Sequence, residues 1–228
     1  MNIIFDIDGT MTDFENFVLK KASPYMKRKY GVEATNYDGY DIDQVFELEK
    51  KYQELGTTQE LAKAYSDKLM GKFWEANYIA YILAPFKKGA KETIAKLAKE
   101  QANIEFCSSR RKSTQTDFKG RFVRNTIKLQ LLLNLGRRHK VSLFEDDESK
   151  MNYILAKENI IMVDDKPELL KMLDSYDTID GVCINASYNK EENFPLPSKI
   201  LRVNGYENYE AYNAIKELSE AKKLRLVR

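Results

Sequence analysis

Two acids separated by one residue stand early in the chain, in the run Ile3-Ile4-Phe5-Asp6-Ile7-Asp8-Gly9-Thr10-Met11-Thr12-Asp13. The apolar residues before Asp6 suffice for a short buried strand. Residues i and i+2 of a strand face the same side, so Asp6 and Asp8 are expected to leave the strand end together. Gly9 permits a tight turn directly after them. Like charges this close raise each other's cost of ionising. A hard divalent cation with oxygen ligands is the simplest group to sit between them. A strand end with an Asx turn is the plainer alternative. Against it, the carboxyl end of an apolar strand is where open α/β sheets bind ligands. Ser108, and the pair Asp164-Asp165, end two later apolar runs, and Lys150 opens the helix that feeds the second of these. Acids holding magnesium, with a hydroxyl and an ammonium to neutralise phosphoryl oxygens, leave one carboxylate able to attack phosphorus.

The elements that must position these groups follow from periodicity. Residues 14–86 read as helical, with Phe14, Phe17, Val18, Ala22, Tyr25 and Met26 near helical spacing and Pro24 as a kink or restart. A helix is expected over Ile42–Leu55, and another from a Thr57/Glu60 capping box to about Leu69. Gly71 is expected to break that helix before Lys72–Leu83, which carries Phe73, Trp74, Tyr78, Ile79 and Ile82 on one side. Beyond residue 86, helices (Gly89–Gln101, Arg121–Leu135, Lys150–Glu158, from Pro167 to about Leu173, Tyr209–Lys222) alternate with strands. The strands are Asn103–Cys107, Val141–Phe144, Ile160–Val163 and Gly181–Ile184, the last of them followed by a loop over 193–199. This alternation predicts an α/β fold, a doubly wound parallel sheet with an inserted helical module. The division expected is 1–13 with 87–228 as the α/β domain and 14–86 as the insertion.

The chain has 228 residues, 43% hydrophobic and 32% charged, with a formal net charge of +2. That balance argues against a nucleic-acid polymer as partner. No apolar run approaches the roughly 20 residues of a membrane helix, and acids by position 6 leave no room for a signal peptide, so a cytoplasmic protein without a membrane partner is expected. Cys107 and Cys183 sit in apolar runs and read as buried thiols. The single histidine, His139, reads as an exposed helix end, which excludes histidine-based mechanisms.

The stretch Asp6-Ile7-Asp8-Gly9-Thr10 resembles the first motif of the haloacid-dehalogenase-like (HAD) superfamily. Ile104–Ser108, Lys150 and Val163-Asp164-Asp165 are similar to its second, third and fourth motifs, in the same order. The resemblance implies a Rossmann-type core with a type 1 cap and a magnesium-dependent phosphatase. Asp6 would be the nucleophile and form an aspartyl-phosphate, and Asp8 would be acid and base in turn. Ser108 would bind phosphoryl oxygens, beside Gly9 in the phosphate loop, and Lys150 would neutralise charge and tie Asp6 to the site. Thr10 would help position Asp8. Magnesium would be held by Asp6, the carbonyl of Asp8 and the Asp164/Asp165 pair, with Asp165 preferred. Ser109 is the alternative to Ser108, Lys140 and Lys157 are the alternatives to Lys150, and Arg110 is either a phosphate contact or a surface ion pair. Asp146-Asp147-Glu148 reads as an acidic helix start.

A narrower resemblance, to the 5'(3')-deoxyribonucleotidases and bacterial nucleotidases, rests on several stretches. These are Asn36-Tyr37-Asp38, Phe73-Trp74, Ser108-Ser109-Arg110-Arg111, Asp164-Asp165-Lys166-Pro167-Glu168, Ile184-Asn185 with Tyr188-Asn189, and Arg202-Val203. It implies a phosphoric monoester hydrolase, first a 5'-nucleotidase acting on (deoxy)nucleoside monophosphates. A phosphatase for a sugar or other metabolite phosphate is the alternative, and a non-catalytic binding module a weaker one. Phe46, Phe73 and Trp74 would stack on a nucleobase, or else form the insertion's own core.

Overall fold

The computed structural model describes residues 1–37, 42–77, 84–190 and 194–226. Strand β1 (Asn2–Asp6) lies inside a parallel sheet with β2 (Asn103–Ser109), β3 (Lys140–Phe144), β4 (Ile160–Asp164), β5 (Ile179–Ile184) and β6 (Ile200–Val203). The order is β3-β2-β1-β4-β5-β6. Apolar runs such as Ile160-Ile161-Met162-Val163 suit strands covered on both faces, and β4 and β5 are buried along their whole length. Phe5 pairs in register with Phe106 on one side and Val163 on the other, which brings the carboxyl ends of β1, β2 and β4 to one level. The connections run outward from β1 to β2 and β3, then return across it to β4. That reversal opens a crevice outside the strand ends.

One sheet face packs Ile4, Cys107, Met162 and Cys183 against Met151 and Ile154 of helix α8 (Asp147–Leu155), and against Leu169 and Leu170 of α9 (Pro167–Lys171). Both cysteines are buried free thiols, and burial pushes each up to about 12. Helix α5 (Ala90–Lys99) packs beside α7 (Phe118–Leu135) and α10 (Glu210–Leu226), and the short α6 (Arg111–Thr114) precedes α7. Residues 14–85 form a separate compact unit of α1 (Phe14–Tyr30), α2 (Ile42–Phe46), α3 (Leu48–Glu54) and α4 (Gln59–Asn77). Where the chain leaves and re-enters the sheet unit, Thr12 and Phe86 form an antiparallel bridge.

Several elements differ from expectation. Ile184 does not end the last strand: Ile200–Val203 forms β6 on the edge, paired with Gly181–Ile184. Its apolar run is too short to stand out from the loop before it. Pro24 sits within a continuous α1, held by Ala22 and Met26 in the unit's core. Gly71 stays inside α4, because a mid-helix glycine costs only about 1 kcal/mol and buried Leu69 and Phe73 flank it. The helix expected from Ile42 divides at Glu47, whose φ of 48° is left-handed. His139 is half-buried, edge-on to Phe106 at 5.2 Å.

The expected base-stacking rings fall differently. Phe46 and Phe73 have no exposed surface and form the helical unit's core with Val18, Ala22, Met26 and Leu69. Tyr25 meets Phe73 edge-on at 5.5 Å. The structure therefore gives these two rings no open face for a nucleobase. The Trp74 side chain, Asp38, and Tyr78, Ile79 and Ile82 lie outside the described residues.

If Phe73 serves packing, Phe73→Ala should destabilise the helical unit by about 3–5 kcal/mol. Urea unfolding followed by circular dichroism checks this. A loss below about 1 kcal/mol would show that the ring is not a core residue.

Candidate active site

Helix α8 begins where the Asp146 carboxylate accepts from the Ser149 backbone N–H at 2.8 Å. That start places Lys150 in the helix on the face turned to the sheet. Its ammonium is buried and donates to Asp6 Oδ1 and to Asp164 Oδ2, each at 2.6 Å. Asp6 and Asp164 end neighbouring strands, so one lysine bridges both. Burial alone would lower the Lys150 pKa, but Asp164 and Asp6 outweigh it and hold it well above the ordinary value. The other two lysines considered are engaged elsewhere: Lys140 and Lys157 both pair with Glu105.

Asp8 points to a different set of partners. Strand β1 ends at Asp6, and the Ile7 carbonyl then accepts from Met11 and Thr12 N–H groups, closing a turn. The regular strand stops before Asp8, which lies in this turn, and the two acids take different partners. Ser108 Oγ donates to Asp8 Oδ2 at 3.1 Å. Arg110 Nε donates to the same oxygen at 2.6 Å, and Arg110 Nη2 to Oδ1. Arg110 is buried rather than a surface ion pair. Each acid of the first motif thus has its own cation, Lys150 for Asp6 and Arg110 for Asp8.

Gly9 sits at φ +76°, and a Cβ there would come within 2.5 Å of Asp165 Oδ2 and 2.8 Å of the Tyr188 hydroxyl. The turn therefore lies directly against β4's acidic end, and it carries Thr10 with it. Thr10 Oγ1 donates to Asp165 Oδ1 at 2.6 Å. The expectation that Thr10 positions Asp8 is corrected by this bond: its hydroxyl serves Asp165. The Tyr188 hydroxyl donates to the other Asp165 oxygen. Asn189 Nδ2 donates to the Asp165 carbonyl at 2.6 Å and to the Ile184 carbonyl at 2.9 Å. Arg202 of β6 in turn holds the Asn189 carbonyl at 2.6 Å. Behind Asp164, Lys166 N–H donates to its Oδ1 at 2.9 Å, while Lys166 Nζ pairs with Asp147 at 2.6 Å.

The donor set fits a hard divalent cation. Asp6, Asp164 and Asp165 are all buried, and the ammonium of Lys150 bridges the first two. Burial first, then Asp164, Asp165 and Asp8, push Asp6 well above the usual carboxylate range despite Lys150. Burial and Asp164 raise Asp165 to about 6, against the pull of Thr10 and Tyr188. The cluster holds more acid than Lys150 offsets. Among the described residues no three His, Cys, Asp or Glu side chains form a ready-made metal cage. Magnesium needs none, since it keeps several waters and takes one or two carboxylates.

Tyr188, Asn189, Arg202 and Lys166 enter the sequence reading only through the nucleotidase resemblance, with no role assigned to any of them. They stand in the connections after β4 and β5 and in β6, with no spacing rule that ties them to an acid.

Gly9→Ala would add backbone strain and a clash with Asp165, and is expected to destabilise the protein by about 2–4 kcal/mol. Denaturant unfolding checks this, and an unchanged midpoint would show that the turn has room to relax.

No protein-family model and no curated protein matches this chain. Solved structures do match it over nearly its whole length. A haloacid dehalogenase-like family hydrolase of Streptococcus pneumoniae is 14% identical, with TM-score 0.58, over 93% of this chain and 97% of that one. A Bacillus subtilis protein described as a HAD-hydrolase bound to magnesium is 15% identical, with TM-score 0.57, over 94% and 97%. The D,D-heptose 1,7-bisphosphate phosphatase of Burkholderia thailandensis is 11% identical, with TM-score 0.51, over 96% and 98%. The chain has the fold of these HAD-like hydrolases.

Proposed function

We propose that this protein is a magnesium-dependent phosphatase that hydrolyses a small phosphomonoester through an aspartyl-phosphate on Asp6. One observation carries this: a buried carboxylate at the carboxyl end of the central strand, held by Lys150 at 2.6 Å, with a second strand-end acid on the same lysine. Asp6 attacks phosphorus, and the ester oxygen leaves with a proton from Asp8. Water then attacks the acyl phosphate as Asp8 takes its proton, which releases orthophosphate and restores Asp6. Ser108 offers its hydroxyl to a phosphoryl oxygen, and Lys150 keeps Asp6 in line for attack. Asp6, the Asp8 carbonyl and the Asp164/Asp165 pair would hold the magnesium ion, which supplies charge neutralisation at the phosphoryl oxygens when bound. The similarity to a magnesium-bound HAD-hydrolase supports that choice of metal.

Within this class we assign a 5'-nucleotidase acting on (deoxy)nucleoside monophosphates. The support is the nucleotidase-like stretches Ser108-Ser109-Arg110-Arg111 and Tyr188-Asn189 together with Arg202-Val203. Of these residues, Ser108 and Arg110 hold Asp8, Tyr188 and Asn189 hold Asp165, and Arg202 holds Asn189, while Arg111 pairs with Glu145. A sugar-phosphate substrate is the second reading, favoured by the fold shared with a heptose bisphosphate phosphatase.

Asp6→Asn should lower phosphate release from p-nitrophenyl phosphate by on the order of a thousandfold or more. Chelation of magnesium should stop turnover of the unaltered protein. If the magnesium-loaded protein is inert toward a broad panel of phosphomonoesters, the phosphatase reading fails. In the same panel, deoxynucleoside monophosphates should exceed hexose phosphates in kcat/KM. The reverse order would replace the nucleotidase assignment with the sugar-phosphate one.

A further inference from the structure

Arg110 is built into the site more firmly than an ion pair at a loop requires. Its own N–H donates to the Phe144 carbonyl of β3 at 2.7 Å. Its carbonyl accepts from Ser113 twice, from the backbone N–H at 2.7 Å and from Oγ at 2.6 Å. Ser113 is itself fully buried. The backbone is thus pinned on both sides just past the end of β2, and the guanidinium is sent back toward the turn after β1. There its Nε and Nη2 take both oxygens of Asp8, with Ser108 on one of them.

A guanidinium fork matches a phosphoryl group as well as it matches a carboxylate. Ser108 and Arg110 are the two side chains that flank Asp8 at the carboxyl end of β2, and both carry donors that a phosphoryl oxygen can accept. While they hold both oxygens of Asp8, that carboxylate is not placed to reach a leaving group. We propose that Arg110 is an exchange residue: in the resting protein it clamps Asp8, and it transfers its two-point contact to the substrate phosphoryl group on binding. Phosphoryl arrival then releases Asp8 for proton transfer, so the acid is delivered only when there is an ester to cleave. This inference rests on the phosphatase reading for its purpose, but the exchange can be measured without turnover.

The test is a cycle of orthophosphate titrations into magnesium-loaded protein by isothermal calorimetry, using the unaltered chain, Arg110→Ala, Asp8→Asn and the double variant. Arg110→Ala should weaken orthophosphate about tenfold or more, the equivalent of a lost charged two-point contact. Asp8→Asn should tighten it several-fold, because the competitor for Arg110 is gone. In the Arg110→Ala background that tightening should fall to within about twofold, which is the coupling a double-mutant cycle isolates. A merely structural Arg110 would not produce it. The exchange is overturned if Arg110→Ala leaves orthophosphate affinity within about twofold. It is equally overturned if Asp8→Asn tightens binding to the same extent in both backgrounds. Should Arg110→Ala fail to fold by circular dichroism, Arg110→Lys takes its place. It keeps the charge and loses the fork, so a loss of about three- to fivefold is expected, and full affinity would refute the two-point contact. A protein that hydrolyses no phosphomonoester yet shows the coupling removes the phosphatase reading and leaves the exchange standing.

Discussion

An ammonium buried between two carboxylates is the contact on which this architecture turns. Removing one ammonium and two acids from water is costly, and such a group is tolerated only where geometry is good and every charge has a partner. Lys150 meets that condition with 2.6 Å contacts to Asp6 and Asp164. The requirement fixes three elements at once: where β1 stops, where β4 stops, and where α8 begins. Asp165 adds another buried acid beside the pair.

The same constraint separates two residues that look equivalent on paper. Asp6 lies at the strand end under Lys150, and Asp8 lies in the turn under Arg110 and Ser108. Two carboxylates one residue apart thereby occupy different surroundings, the usual basis for giving two acids different tasks. Gly9 makes the separation possible, because only a residue without a Cβ fits the turn against Asp165 and Tyr188.

Much of this was legible in the sequence, for physical reasons. Long alternating patterns mark the parallel sheet, and the acids at Asp6, Asp8, Asp164 and Asp165 end apolar runs where ligands bind in such sheets. Lys150 was legible through its order in the chain and not through any chemistry of its own. What could not be read were directions and pairings. A period-two pattern cannot tell where a strand stops, nor that Asp6 and Asp8 take different cations. The Thr10 hydroxyl could serve either neighbouring acid, and only the turn's left-handed Gly9 sends it to Asp165. Phe46 and Phe73 fit a stacking surface and a core equally well by spacing; burial decides for the core. The edge strand β6 escaped notice because four residues with a charge among them carry little periodicity.

The register of β1 has a consequence for how the protein is made. Asn2 pairs with Asn103 on one flank and with Ile160 on the other. The strand bearing Asp6 is translated before either neighbour and must wait for both. Until β4 leaves the ribosome, an apolar strand with at least one unpaired edge is present in the nascent chain. Parallel pairings across such long separations form slowly and leave partly assembled species prone to aggregation. The helical unit of residues 14–85 is synthesised during that wait. Its contacts are local, and it can collapse on its own core while β1 is still without partners. The strand that gives β1 its second neighbour is also the one that brings Asp164, so Lys150 gains its second carboxylate only when the centre of the sheet closes.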